Sequence, residues 1–398
     1  MLVLIIAALT SFAFYPQCGR WKGVGEMVLV DGSPILRGLF PSMVPSASTQ
    51  RLKLPNLAGK SFVVVLGDPG DVGYALGSST SLQLAQSNAS VILACGDNNK
   101  TRCSQLARQI GREANRGVMQ FCIDLGSFES VEEFATKILS RGAGLDGIVL
   151  TLGQPSDILT RVNEQTVDGF EKTYQANHLS AHFILVRRLL PLLESTAQEK
   201  GSATITSLTS PLHLAFGPRR RPLLSQEEEE TEEGALVAFA RANEANVAFM
   251  QSLHKRVATR GVLCNSVNPG LVTGNVIAPL SSGGDDFELG LSLLGGWGGV
   301  DALLKLLVNK FWPRIFPSLW STELAAAGVA FAAAGGDVRG RRISGGIIFP
   351  LGRETAMPRR FLDSPFLDAQ WQISATDLTT KRLLPIVGKS SEMRERSS

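Results

Sequence analysis

The sequence predicts an α/β protein, a doubly wound parallel sheet covered by helices on both faces to give a three-layer sandwich. Three observations lead there. Short apolar runs such as Ser61–Leu66 (SFVVVL) and Gly147–Thr151 (GIVLT) alternate with stretches of helical length. These runs are apolar throughout, the mark of strands buried on both faces. A glycine-rich turn follows the first run, and repeated β-α units of this kind build parallel sheets with right-handed crossovers.

The elements follow in order. Strands are expected at 61–66, 90–94, 118–123, 147–151, 203–206, 262–267 and 343–349. Between them, helices are expected at 73–87, 101–116, 128–140, 166–193 and 235–260. Residues 128–140 place Val131, Phe134, Ala135 and Ile138 on one face, so this helix packs by a stripe. Two stretches break the pattern. Residues 211–234 join Arg219-Arg220-Arg221 to an acidic run from Glu227 to Glu233, which reads as a solvated loop or a docking element. Residues 275–320 combine Gly-rich turns with Trp297, Trp312 and Trp320 and read as a lid insertion; these aromatics pack in the core, line a pocket or touch a bilayer surface.

Composition bounds the function. The chain is 44% hydrophobic and 19% charged, as ordinary globular proteins are. A net charge of +3 excludes the strong basic footprint of a nucleic-acid binder. The five cysteines (Cys18, Cys95, Cys103, Cys122 and Cys264) have no metal-ligand spacing, and their odd number fits no closed disulfide framework. Cys95, Cys122 and Cys264 fall in or beside strand-like runs and read as buried free thiols.

The N-terminus reads as a targeting segment. Residues 2–14 (LVLIIAALTSFAF) are uncharged and apolar, too short to span a bilayer but right for a signal-peptide core. Ser11 and Ala13 stand at −3 and −1 of a cut before Phe14. From Phe14 to Lys60 the chain carries six Lys/Arg against two Asp/Glu. A signal-like core, Ala-Phe and a basic stretch together resemble the bipartite plastid presequence of algae with complex plastids. A plain secretory or ER signal and a short membrane anchor are the alternatives. The expected organisation is a signal-like segment 1–13, a transit-like or linker segment 14–59, the α/β domain 60–390 and a flexible tail 391–398.

Several motifs, in order and spacing, resemble the retinol-dehydrogenase-like branch of the short-chain dehydrogenase/reductase family, whose domain is a Rossmann fold. Asp168-Gly169-Phe170-Glu171 with Asn177-His178-Leu179, His182 and Phe183 is similar to that branch's Asp-Gly-Phe-Glu…Asn-His-Leu-Gly-His-Phe helix. Residues 245–249 (ANVAF) resemble its Ala-Asn-Val-Leu-Phe, and Asp124-Leu125 its Asp-Leu after the third strand. Asn268-Pro269-Gly270-Leu271-Val272-Thr273 resembles its Pro-Gly-x-Val-x-Thr. The resemblance spans about residues 60–384.

It implies NAD or NADP as cofactor, held at Gly67, Gly70, Gly73, Asp97, Asp124, Gly153, Pro269, Gly270 and Thr273. Glycines let backbone approach a pyrophosphate, and a helix N-terminus supplies amides and dipole. The family pattern Thr-Gly-x-x-x-Gly-x-Gly here reads Leu66-Gly67-Asp68-Pro69-Gly70-Asp71-Val72-Gly73. The middle glycine is Asp71, and Gly70 sits one place early. Two like charges about 4 Å apart cost about 1 kcal/mol in water and about 4 at intermediate dielectric, so Asp68 and Asp71 oppose a pyrophosphate. Asp71 also suits a helix N-cap. Asp97 stands where an acidic group meets the ribose of NAD, or else in a plain Gly-Asp-Asn-Asn turn.

The resemblance also implies a tyrosine that exchanges the proton during hydride transfer, a lysine four residues on that tunes it, a serine on the fifth strand and an asparagine. The tyrosine and lysine positions hold Phe239 and Asn243. The asparagine is Asn177, and the serine is Ser207, with Thr209 and Ser210 as other registers. The Asn-Asn-Ala-Gly run after the fourth strand has become Leu150-Thr151-Leu152-Gly153. Two functions remain in view. One is a non-catalytic binding or regulatory protein. The other is a working oxidoreductase on a retinoid-like or other lipophilic alcohol or carbonyl, with His213 or a bound water as proton donor. The expected partners are a small lipophilic molecule or a protein, with peripheral membrane contact and no nucleic acid. The residues point to no metal.

Overall fold

The computed structural model describes residues 52–69, 71–96, 100–152, 164–210, 235–270, 272, 321–355 and 357–395. Eight strands form one sheet: β1 (Ser61–Leu66), β2 (Ser90–Gly96), β3 (Met119–Ile123), β4 (Gly147–Thr151), β5 (Ala203–Leu208), β6 (Val262–Val267), β7 (Ile347–Phe349) and β8 (Arg353–Thr355). Their order is β3-β2-β1-β4-β5-β6-β7-β8, parallel except for the antiparallel β7–β8 pair. The chain moves outward from β1 to β3 and then returns to place β4 on the other side of β1. That reversal places the topological switch point at the carboxyl ends of β1 and β4, where doubly wound sheets bind ligands in a crevice.

Helices α1 (Val72–Gln86) and α2 (Lys100–Glu113) cover one face, with α6 (Thr322–Ala334) laid against α1. Helices α3 (Phe128–Leu139), α4 and α5 (Ala235–Val257) cover the other. Each face has its own apolar core, built from alternate residues of the same strands: Val64 and Leu66 on one side, Val63 and Val65 on the other. Helix α4 is composite, with one α turn Lys172–Tyr174, a π-helical run Gln175–Leu185 and an α-helical run Val186–Lys200. A short helix α7 (Gly336–Gly340) and a long helix α8 (Ser364–Glu395) complete the described elements used below.

The Asp-Gly-Phe-Glu motif has a mechanical explanation. Glu171 caps α4, its carboxylate accepting the Thr173 and Tyr174 amides at 2.8 and 2.6 Å. Asp168 accepts the Phe128 amide at 2.8 Å and Gln175 Nε2 at 2.6 Å, tying the start of α3 to α4. Gly169 adopts φ +76°, which favours glycine, and Phe170 is buried against Phe128.

Several expectations need correction. The fourth helix begins at Lys172, not 166, because residues 166–171 form this capping turn. It extends to Lys200, where Gly201 ends it at φ +88°. Strand β7 is confined to three residues, since residues 343–346 form the turn that delivers it. Helix α6 has no counterpart among the elements expected from sequence: its run of alanines is apolar all round, so a buried helix leaves no periodic stripe. Folded structure starts before residue 60, because Leu52 and Leu57 are buried in the core and the Leu57 amide donates to the Ser87 carbonyl at 2.7 Å. The helical backbone of α8 enters the segment expected to be a tail. Cys95 and Cys103 form a disulfide, against the reading of Cys95 as a free thiol. Cys264 is a buried free thiol as expected, and burial pushes its pKa up. Cys122 is free and only partly buried. The lid at 275–320 and the loop at 211–234 lie outside the described residues.

Candidate functional site

The crevice is built from strand ends. Register pairs Leu66 with Thr151, Leu150 with Ser207 and Leu208 with Val267, so the segments leaving β1, β4, β5 and β6 line up along one edge.

At β1, Gly67 leads into a turn closed by the Asp71 amide on the Asp68 carbonyl, 3.0 Å. Asp71 is the N-cap of α1. Its Oδ1 accepts the amides of Gly73 at 2.5 Å and Tyr74 at 3.3 Å. A Cβ placed on Gly67 would come within 2.7 Å of Asp71 Oδ2, so this carboxylate lies directly over the glycine backbone. A Cβ on Gly73 would overlap the Thr151 carbonyl oxygen, which explains why α1 can approach β4 only through glycine there. The amides and dipole that would meet a pyrophosphate are therefore engaged by the chain's own carboxylate. Loss of solvent raises the Asp71 pKa to about 8; the Gly73 and Tyr74 amides oppose this, and the Asp68 carboxylate adds to it.

At the other end of the crevice, Asn243 on α5 is fully buried, and its Oδ1 accepts the Ser210 amide at 3.1 Å. The α5 backbone carries Phe239, whose side chain is outside the described part. Asn177 lies on the π-helical run, half-buried, and its carbonyl accepts Asn246 Nδ2 at 3.0 Å. The Ser207 hydroxyl is buried, 2.6 Å from His182 Nε2 and 3.0 Å from the Leu208 carbonyl. After β6, Asn268 Oδ1 accepts the Gly270 amide at 3.0 Å, and the Asn268 amide donates to the Ile348 carbonyl at 2.9 Å. Pro269 and Gly270 are buried in this turn, with Gly270 at φ +77°. Asp124 closes the turn after β3, its Oδ1 accepting the Gly126 amide at 2.8 Å. The structure thus brings Gly67, Gly73, Pro269, Gly270 and Asn243 to one sheet edge. Gly70, Asp97, Gly153, Thr273 and His213 lie outside the described residues.

Two buried histidines were not singled out as a site by sequence. His178 Nδ1 faces Asn246 Oδ1 at 2.9 Å, and its Nε2 faces Ser374 Oγ on α8 at 2.8 Å. The Asn246 amide group already donates to Asn177, so Asn246 Oδ1 accepts and the neutral ring carries its proton on Nδ1. Burial lowers the His178 pKa to about 4. It lowers His182 to about 3, helped by neighbouring His178 and opposed by the Asn177 backbone. Both rings are neutral at physiological pH and engaged in the core. Both belong to the Asn-His-Leu…His-Phe motif read from the sequence, but nothing in that pattern shows that the π-helical run buries both rings. Among the described residues, no group of His, Cys, Asp and Glu could hold a metal.

The reversal of strand order between β1 and β4, with a glycine turn after β1, defines a doubly wound α/β protein of the Rossmann type. Residues 63–216 match the family model described as short chain dehydrogenase. Human retinol dehydrogenase 13 is 30% identical over 216 residues, covering 54% of this chain and 60% of the relative. Human dehydrogenase/reductase SDR family member 13 is 30% identical over 222 residues, covering 56% and 54%. The chain thus spans between half and two thirds of the length of these relatives. A solved short-chain type dehydrogenase/reductase from Mycobacterium ulcerans shares the fold at TM-score 0.50, 12% identity, 74% of this chain and 89% of its own. Over residues 63–216 the chain is thus similar to the short-chain dehydrogenase/reductase family, and the relatives that match it include a retinol dehydrogenase.

Proposed function

We propose that this chain is a family member that has set aside ordinary alcohol/carbonyl hydride transfer and serves as a binding or regulatory protein with a weakened hold on NAD or NADP. The observation that carries this reading is Asn243. It occupies the lysine position, is fully buried, and binds the Ser210 amide with a neutral carboxamide. A group that must lower a neighbour's pKa needs charge, and a carboxamide has none. Phe239, at the tyrosine position, has no proton to exchange. Asp71 supports the second half of the reading, because a dinucleotide has to displace or share the amides this carboxylate holds.

If NAD or NADP binds, Gly67 and Gly73 would give its pyrophosphate backbone approach, and the Asn268–Gly270 turn would border the nicotinamide end. The cofactor would supply hydride chemistry. The chain's own residues here cap α1, hold Ser210 and keep two neutral histidines in the core. The ligand fitting the family's habit is a small lipophilic molecule, with a protein partner as the alternative. We also propose that residues 1–13 direct the chain into the secretory route toward a plastid and are removed before Phe14; sequencing the N-terminus of native protein tests this.

The deciding experiment is a dinucleotide titration of the purified protein, followed by hydride-transfer assays on retinoids and small carbonyls. Weak binding and background turnover are expected. Robust turnover by the unmodified protein, abolished by changing His213, would overturn the reading.

A further inference from the structure

Three of the five cysteines meet on one face of the sheet. Cys95, near the end of β2, is disulfide-bonded to Cys103 in the first turn of α2, with their Cα atoms 6.1 Å apart. Cys122 on β3 is the register partner of Cys95. Register partners in neighbouring strands lie about 4.8 Å apart and point to the same face. Flanking residues identify that face independently. Gln120, two residues before Cys122, donates from Nε2 to Ser104 Oγ on α2, while Met119 and Phe121 pack into the opposite core. Cys122 therefore faces α2, the side on which Cys95 and Cys103 are both core members.

Access differs within the cluster. Cys95 and Cys103 are 2% and 1% exposed, beyond the reach of a thiol from solution. Cys122 is partly exposed and carries a free thiol. A thiol–disulfide exchange needs a thiolate beside a disulfide sulfur and a route by which electrons enter or leave. Cys122 places a thiol on the same face as the disulfide, and its partial exposure gives the route.

We propose that Cys95, Cys103 and Cys122 form a thiol–disulfide relay in which Cys122 is the solvent-side thiol that opens and resets the buried Cys95–Cys103 bond. The external reactant is a thiol, either a monothiol such as glutathione or a protein dithiol. In the first step Cys122 Sγ loses its proton and attacks Cys95 Sγ. The Cys95–Cys103 bond breaks, a Cys95–Cys122 bond forms, and Cys103 leaves as a thiolate that takes up a proton. This step involves no net oxidation. An external thiol then attacks Cys122 Sγ, releasing Cys95 as a thiol and leaving a mixed disulfide on Cys122. A second external thiol removes the first as an external disulfide and restores the Cys122 thiol. Two electrons have entered the protein, and two external thiols have become one disulfide. The reverse sequence reoxidises the pair. The spacing allows the intermediate, since about 4.8 Å falls within the Cα separation that disulfides accept, about 4.4 to 6.8 Å.

The test uses the full-length oxidised protein, reduced glutathione as probe, and quenching with N-ethylmaleimide before peptide mapping by mass spectrometry. In native protein, Cys122→Ser should slow opening of the Cys95–Cys103 bond by about tenfold or more. In guanidinium, where all sulfurs are accessible, the variant and the unmodified protein should react alike. A second variant avoids any change at Cys122: Cys103→Ser treated with oxidised glutathione should yield a Cys95–Cys122 cross-linked peptide. Equal native opening rates with and without Cys122 would overturn the relay. So would a Cys103→Ser protein that accumulates glutathione on Cys122 and never forms the Cys95–Cys122 link.

Discussion

Asn243 accepts the backbone N–H of Ser210 at 3.1 Å, tying the middle of α5 to the segment leaving β5. The same side chain stands where the family's lysine would hold charge, so at this position a structural bond has taken the place of a chemical role. Asn243→Ala leaves a buried amide without this acceptor, and such a loss costs about 1 to 3 kcal/mol. The expected result is a lower denaturation midpoint in urea, with an unchanged slope.

Restoring the chemistry is the complementary experiment. A proton donor contributes about 10² to 10⁴ in rate. Phe239→Tyr with Asn243→Lys, best combined with Asp71→Gly, is expected to lift hydride transfer above the background of the unmodified protein. Following NADH or NADPH absorbance with a retinoid or small carbonyl checks this. Turnover that stays at background shows that the rest of the crevice no longer supports the reaction.

The phosphate loop makes an affinity and a pH prediction together. Asp71→Gly is expected to tighten NAD or NADP binding by about tenfold or more, about 1.4 kcal/mol. In the unmodified protein Asp71 ionises near pH 8, so affinity should fall as pH rises through that value. Asp68 lies on the same turn, and Tyr74 on α1 is influenced by Arg102 of α2. Asp71→Asn keeps the cap and removes the charge, and its binding curve should be flat over the same range. Calorimetric titrations from pH 6 to 9 decide it.

The buried histidines set the acid limb of stability. Their folded pKa values, about 4 and about 3, lie below the ordinary 6.5, so the unfolded chain binds more protons as pH falls through 6.5 toward 4. Stability is lost in that direction. Asp71 acts oppositely, because its folded pKa is raised and its protonated form favours the folded state below about 8. Two histidines outweigh the one carboxylate, so stability falls as pH drops across this range. His182→Gln should flatten the acid limb and Asp71→Asn should steepen it, as read from urea midpoints across pH 4.5 to 6.5.

At the amino ends of the strands, Asp146 is fully buried and holds Lys200 Nζ at 2.9 Å, Lys60 Nζ at 3.5 Å and the Ser61 amide at 3.0 Å. Asp146→Ala removes both ion pairs, with lysine side chains that are 25% and 34% exposed, and also orphans the Ser61 amide, a loss that by itself costs about 1 to 3 kcal/mol. Asp146→Ala is therefore expected to destabilise the fold more than Asn243→Ala does, measured by chemical denaturation.

The sheet was legible because parallel strands buried on both faces write themselves as apolar runs; β1, β4 and β6 fall at the expected residues. Sequence failed where burial erases pattern. Helix α6 is alanine on every side, and α8 docks through scattered residues such as Leu367, Trp371 and Ser374. The motif positions on Gly67, Gly73 and Asn243 were readable by spacing, but the seating of Asp71 over Gly67 depends on a turn geometry that no spacing encodes. The disulfide was missed because an odd cysteine count says nothing about which pair the fold brings together.

The cluster around Asp146 is assembled from distant stretches of chain. Lys60 and Ser61 come from the first strand and its approach, Asp146 from the approach to the fourth, and Lys200 and Ser202 from the approach to the fifth. Arg339 arrives last, donating to the Asp146 carbonyl at 3.2 Å and the Ser202 carbonyl at 3.0 Å. The Arg339–Asp146 contact closes a span of 193 residues, a long-range contact whose formation carries a loop-closure cost. Where such a contact is absent from the transition state, its energy appears in how slowly the native state comes apart. Arg339 would then act as a latch in time: losing it should leave the folding rate nearly unchanged while shortening the lifetime of the folded protein.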